Sequence, residues 1–178
     1  MDVLTVLPLG SSPVTLRRAA EPDVPAIVRL LAADQLGATR DGVNAPEDLA
    51  AYQRAFRAID ADPAHLLVVG DAVLQTPECA TAPQTQAQSH VVATMQLSFL
   101  PGLARRGALR AQIEAVRVRD DFRGSGLGSA MFAWAIDEAR RRGCALVQLT
   151  TDKSRASAHR FYERLGFVAS HEGMKLTL

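Results

Sequence analysis

Cysteine is almost absent from this sequence. Cys79 and Cys144 are too few for a disulfide framework, and their separation matches no zinc-ligand spacing. A reducing cytoplasmic compartment is therefore expected. Lysine is as scarce: only Lys153 and Lys175 stand among 20 Lys+Arg, and 19 Asp+Glu bring the net charge to +1. Such a balance gives a nucleic-acid partner no support. No run of about 18 apolar residues is present, so no membrane span is expected. A secretory leader is not expected either, since Asp2 stands where a basic residue would and Pro8 interrupts the short apolar run after it. His65, His90 and His171 fall at no ligand spacing, and no metal is expected.

What is present suits one soluble domain over residues 1–178, with 48% hydrophobic and 22% charged residues. Residues 1–12 read as an irregular leader and Val14–Ala19 as a short strand. Asp23 and Pro25 open a first helix with an Ile27, Leu30, Leu31 stripe, and Pro46 opens a second that Asp60–Pro63 stops. His65–Gly70 and His90–Phe99 have strand composition. Between them, residues 71–89 are rich in Thr, Pro, Gln and Ala and read as a mobile loop inside a hairpin. Phe167–Ala169 and Met174–Leu178 read as final strands.

The informative stretch is Ile113 to Ser129. A β-branched run leads into Arg123-Gly124-Ser125-Gly126-Leu127-Gly128, and a helix pattern through Leu127, Met131, Trp134 and Ala135 follows at once. Helix N-termini carry N–H groups without carbonyl partners at the positive end of the macrodipole, and glycine lets an anion approach them. The turn is thus a candidate phosphate cradle. A dinucleotide-binding fingerprint fails because its third glycine falls on Ser129 and no acidic residue ends a strand about 20 residues on. A P-loop fails for want of Gly-Lys-Ser/Thr. Gly143 ends the helix, and Ala145–Thr150 follows as a strand, completing a βαβ unit. A second short helix is expected from about Ser154 to Leu165. Strict alternation places Gln112, Glu114, Val116 and Val118 on one strand face unless a bulge changes the register.

Arg123, Gly126 and Gly128 fit the pattern Q/R-x-x-G-x-G/A, and Ala158, Tyr162, Gly166 and Phe167 fit A-x-x-x-Y-x-x-x-G-F. Together these resemble the two cofactor-half motifs of the GCN5-related N-acetyltransferases (GNAT), covering roughly residues 112–170. The resemblance implies a mixed α/β (α+β) fold: a mostly antiparallel twisted sheet of six or seven strands, four flanking helices and a splayed central strand pair. It implies acetyl-CoA in that splay, with the backbone of Val116 and Val118 along the pantetheine arm and Arg123, Gly124, Ser125, Gly126, Leu127, Gly128 and Ser129 around the pyrophosphate. Arg155 stands where the family often has an asparagine that contacts the cofactor.

In the implied chemistry Glu114 assists deprotonation of a primary amine, directly or through water, and Tyr162 protonates the departing thiolate. A phenol with a reference pKa of about 10 is protonated at neutral pH and able to do so. The final third of the chain resembles members acting on small amines, among them aminoalkylphosphonate acetyltransferases. Arg105, Arg106 and Arg110 form a compact basic cluster, read either as a solvated loop or as a trap for an anionic substrate group. Protein or peptide acetylation and a non-catalytic acyl-CoA sensor are the alternatives, and a homodimer is compatible with the family. Cys144 reads as a small packed residue and His159 as a hydrogen-bonded one.

Overall fold

Alternation in the strand His65–Val73 turns Leu66 and Val68 to one face of a sheet and Leu67 and Val69 to the other, and all four are buried. Both faces are therefore covered. The computed structural model describes residues 2–9, 13–33, 40–43, 45–73 and 89–177. Among these, six strands form one sheet in sequence order: β1 (Val3–Leu7), β2 (Val14–Arg18), β3 (His65–Val73), β4 (Ser89–Leu100), β5 (Arg110–Val118) and β6 (Leu146–Leu149). Every neighbouring pair is antiparallel except β5 and β6, which are parallel. The parallel pair requires a crossover, supplied by helix α4 (Leu127–Arg141).

Helices α1 (Val24–Ala32) and α2 (Pro46–Ala61) lie on one face, where Ile27, Val28 and Phe56 bury against Leu67 and Val69. On the other face Leu127, Met131, Phe132 and Ala135 of α4 pack on Leu16, Leu66, Val68, Met95, Leu97 and Ile113. Helix α5 (Ala156–Arg164) joins this side through Phe161 and Tyr162. Between β4 and β5, α3 (Ala104–Gly107) is a single turn in which Arg105 and Arg106 both adopt left-handed backbone, φ 55° and 60°. The expected mixed fold is thus present.

Three expectations about individual segments are corrected. Val3–Leu7, read as irregular leader, is strand β1; its Val-Leu-Thr-Val-Leu composition is extended and β2 offers it a partner. The loop expected over 71–89 is shorter, because Asp71–Val73 complete β3 and Ser89 opens β4; residues 74–88 lie outside the described residues. Phe167–Ala169 and Met174–Thr177 form no strand. Composition alone does not make a strand: its N–H and C=O groups must pair with another strand, and these segments pair with none among the described residues. Here Val168, Met174 and Leu176 are 80%, 95% and 86% exposed.

The sheet is tied to α1 by a buried charge cluster. Arg17 on β2, 4% exposed, donates to both carboxylate oxygens of Asp23 at 2.6 and 2.9 Å and to Asp71 of β3 at 2.7 Å. Asp23 also accepts the Ala20 N–H at 2.7 Å. Burial alone would push the Asp23 carboxyl up; the hydrogen bonds from Arg17 and Ala20 outweigh it and hold the group below its ordinary range.

Candidate active site

The parallel ladder between β5 and β6 runs only from Arg110 opposite Leu146 to Ile113 opposite Leu149. Beyond it the strands part. Glu114–Val118 continue β5 with no partner on the β6 side, which gives the splayed pair its opening. At the same place β5 carries a bulge. On β4 only Met95 separates Thr94 from Gln96, whereas on β5 both Ala115 and Val116 separate their partners Arg117 and Glu114. Ala115 takes φ 54°, a left-handed conformation that a residue with a Cβ rarely adopts.

This bulge corrects the face assignment made from strict alternation. Gln112 and Glu114 share a face, but the extra residue turns Val116 and Val118 over to the side of Ile113, where they pack on the core beneath α4. Glu114 is left exposed at the mouth of the gap. The residues lining the gap are Ile113, Glu114, Ala115, Val116 and Arg117 from β5, Phe132 from α4, Leu149, Thr150 and Thr151 at the end of β6, and Arg155 and Tyr162 around α5. The two residues predicted to be catalytic are therefore both among those lining one cleft. Buried within its wall, the Thr151 hydroxyl has no hydrogen-bond partner among the described residues.

The glycine turn leads from that cleft into α4. Gly124 and Gly126 have φ 80° and 87°, so the turn needs residues without a Cβ there. Ser125 caps it: its hydroxyl donates to Phe122 O at 2.7 Å and accepts the Leu127 N–H at 3.3 Å. Ala130 N–H is the first to reach a helix carbonyl, Gly126 O at 3.0 Å, and the amides of Gly128 and Ser129 have no acceptor among the described residues. Gly128 differs from the other two glycines. Its φ is not positive, and a Cβ there would meet only the Phe161 ring, at 3.6 Å. Internal packing does not require glycine at 128, whereas a ligand lying on its amide would. Arg123 sits at the rim, exposed and paired with Asp120 at 2.8 Å.

Tyr162 is held by edge-on contacts with Phe132 and Phe161, centroids 5.5 and 5.4 Å away, and by Phe167 at 6.1 Å. Burial raises its phenol above the ordinary value, and the charges of Arg155 and Arg117 pull it back down. Arg117 donates from Nη1 to Val116 O at 2.8 Å, folding its guanidinium along the bulge. Sequence reasoning missed Arg117 and Thr151 as site residues. Only the bulge and the end of β6 bring them there, and no local pattern marks either. A row of polar side chains on Glu114's side of β5 was missed too: His65 bonds Ser98 at 2.9 Å, Ser98 stands opposite Gln112, and Gln112 accepts from Gln148 at 2.7 Å.

Arg105, Arg106 and Arg110 are exposed at the other end of β5. Four residue steps of about 3.3 Å each separate Arg110 from Glu114, so the cluster lies outside the cleft. Arg110 nevertheless shares the face of Gln112 and Glu114. The ring of His159 reaches Asp152 O through Nε2 at 3.0 Å, which makes that nitrogen the donor and the residue a tether for the start of α5. Cys144 is half-buried with its thiol pushed up by burial, unsuited to attack. Cys79 lies outside the described residues. Among the described residues no cluster of metal-ligating side chains occurs, and no helix is long and apolar enough to cross a membrane.

Several known proteins are similar to this chain. A Salmonella typhimurium aminoalkylphosphonate N-acetyltransferase is 43% identical over 60 residues, which are 34% of this chain and 39% of that protein. A glucosamine 6-phosphate N-acetyltransferase of Trypanosoma brucei brucei is 37% identical over 93 residues, 52% of this chain and 61% of that one. The chain thus spans between about two fifths and three fifths of the length of these curated relatives. The solved structure of a transcriptional regulator from Bacillus halodurans C-125 superposes with TM-score 0.78 at 41% identity, covering 93% of this chain and 99% of that one. Residues 46–167, from the start of α2 through the cleft to Phe167, match the family model described as Acetyltransferase (GNAT) family, and the chain belongs to that family.

Proposed function

We propose that this protein transfers an acetyl group from acetyl-CoA to the primary amine of a small molecule. The observation that carries the reading is the convergence of Glu114 and Tyr162 on one cleft, along an unpaired strand edge that runs toward a helix N-terminus with open amides. Residues present fit each part of the donor. The free edge of Val116–Val118 suits the amide-bearing pantetheine arm, and the open amides of Gly126, Gly128 and Ser129 suit the pyrophosphate. When bound, acetyl-CoA supplies the thioester.

Around it, Glu114 takes a proton from the incoming ammonium, directly or through water, so that a neutral amine attacks. The N–C bond forms as the C–S bond breaks. Tyr162 donates its hydroxyl proton to the departing sulfur; no hydrogen bond of that hydroxyl occurs among the described residues.

Two relatives bear the names of small amines carrying a phosphorus oxyanion, which favours an acceptor of that class. An acceptor laid along β5 with its amine at Glu114 would extend toward Arg110, with Arg105 and Arg106 at the rim. A screen of amines that follows thiol release from acetyl-CoA tests the reading. Aminoalkyl phosphonates and sugar-phosphate amines are expected to turn over best, and Arg110→Ala is expected to raise their KM about tenfold while leaving that of uncharged amines unchanged. A peptide panel outperforming every small amine would reverse the assignment of acceptor. The similar Bacillus halodurans structure is that of a transcriptional regulator, which favours a second reading, a non-catalytic acyl-CoA sensor. Tight CoA binding with no thiol release for any amine or peptide would select it.

The donor site has its own test. Gly126→Glu places a side chain where φ is 87° and a negative charge beside the open amides. Calorimetry is expected to show CoA affinity reduced at least tenfold. Unchanged affinity would remove the phosphate cradle.

A further inference from the structure

We infer that Arg117 and Arg155 are positioning residues for the acid step, a pair of fixed cations that hold the Tyr162 phenolate left behind when its proton goes to sulfur. This rests on the reading of Tyr162 as the acid. In that step the O–H bond of Tyr162 breaks, an S–H bond forms as the C–S bond opens, and a phenolate remains until water returns its proton. A phenolate in a pocket walled by Phe132, Phe161 and Phe167 is poorly solvated, and without compensation the proton would not leave.

The compensation comes from two different elements. Arg117 enters from β5, its guanidinium held by Val116 O at 2.8 Å on the bulge that Ala115 creates. Arg155 enters from the start of α5, seven residues before Tyr162, and so lies two turns back along the same side of the helix. Its backbone is pinned at both ends: its N–H donates to Asp152 O at 3.1 Å and its carbonyl accepts the His159 N–H at 3.1 Å. Both arginines line the cleft that holds Tyr162. The other charged or titratable groups around it are few. Among the described residues, Glu114 lines the same cleft from β5 but is exposed, His159 on its own helix is turned to the Asp152 carbonyl, α4 contributes Phe132 to the lining and β6 is followed by Thr150 and Thr151. The direction in which the two arginines move the phenol agrees with this geometry.

The chain has only two tyrosines, so Tyr52→Phe leaves Tyr162 as the single phenol. In that background the near-ultraviolet absorbance of phenolate reports Tyr162 directly, with no substrate present. Arg117→Gln and Arg155→Gln are each expected to raise the midpoint by about half a unit, a threefold weaker acid, and the double variant by more. Arg155→Lys, which keeps the charge, is expected to restore most of the shift. A double variant that folds and titrates at the parental midpoint overturns the inference, as does a parent whose Tyr162 fails to ionise before alkaline unfolding. Activity separates the two claims. If Tyr162→Phe kept full turnover, the acid role would fail while the titration still reported the electrostatics.

Discussion

Tyr162→Phe is expected to lower kcat by about two to four orders of magnitude, the range set by loss of a positioned general acid, with acetyl-CoA affinity nearly unchanged. The substitution removes one oxygen. Its ring contacts with Phe132, Phe161 and Phe167 do not depend on the hydroxyl, so phenylalanine fills the same space at the same T-shaped angles. Because the hydroxyl has no hydrogen bond among the described residues, its deletion also strands no buried donor. A large kinetic effect without a structural one is the signature of a group used only as the reaction proceeds. The pH profile supplies the decisive detail. The parent should lose rate as the phenol ionises at high pH, and the variant should lack that limb. Equal kcat in the two proteins at every pH would end the assignment.

Much of this site was legible because its parts are local. Leu127, Met131 and Ala135 announce α4 by helical spacing, Gly124 and Gly126 announce a turn only they accommodate, and the segment from Ala158 to Phe167 places Tyr162 on the next helix. Each signal is carried by residues close in sequence and is independent of the rest of the fold. The bulge was not legible in the same way. Alanine carries no preference for φ 54°, and the strain at Ala115 exists only because β4 and β5 are registered around it. One residue of slip decided that Val116 joins the core while Glu114 faces the gap. The terminal segments went wrong for a related reason. Met174–Thr177 has strand composition but pairs with no strand among the described residues, whereas Val3–Leu7, with weaker alternation, pairs with β2.

The cleft depends on the bulge in both directions. Turning Val116 and Val118 inward anchors the free edge of β5 on the core beneath α4, so an edge with no β6 partner stays extended. Turning Arg117 across the same kink brings a cation to the tyrosine. The strand carrying the proposed base, the proposed donor edge and Arg117 are thus set by one local departure from regular pairing.

Arg17→Ala is expected to cost about 3–5 kcal/mol of stability at neutral pH, the loss characteristic of a buried ion network deprived of one partner. The arginine is almost wholly enclosed, and its removal would leave the carboxylates of Asp23 and Asp71 facing a space with no cation between them. Replacing all three by Met, Asn and Asn should cost less than removing Arg17 alone, because no uncompensated charge remains. The pH dependence reverses sign between the proteins. In the parent the Asp23 pKa is depressed, so its contribution is present above the unfolded value of about 3.9 and is lost as pH falls through the lower folded value. Without Arg17, burial dominates and raises the Asp23 pKa above the unfolded one, so the penalty is full at neutral pH and relaxes as pH falls through that raised value. Urea unfolding at several pH values reads both curves. The gap between them should narrow steadily from neutral toward pH about 4. A gap that stayed constant over that range would mean that Arg17 acts through packing and not through charge.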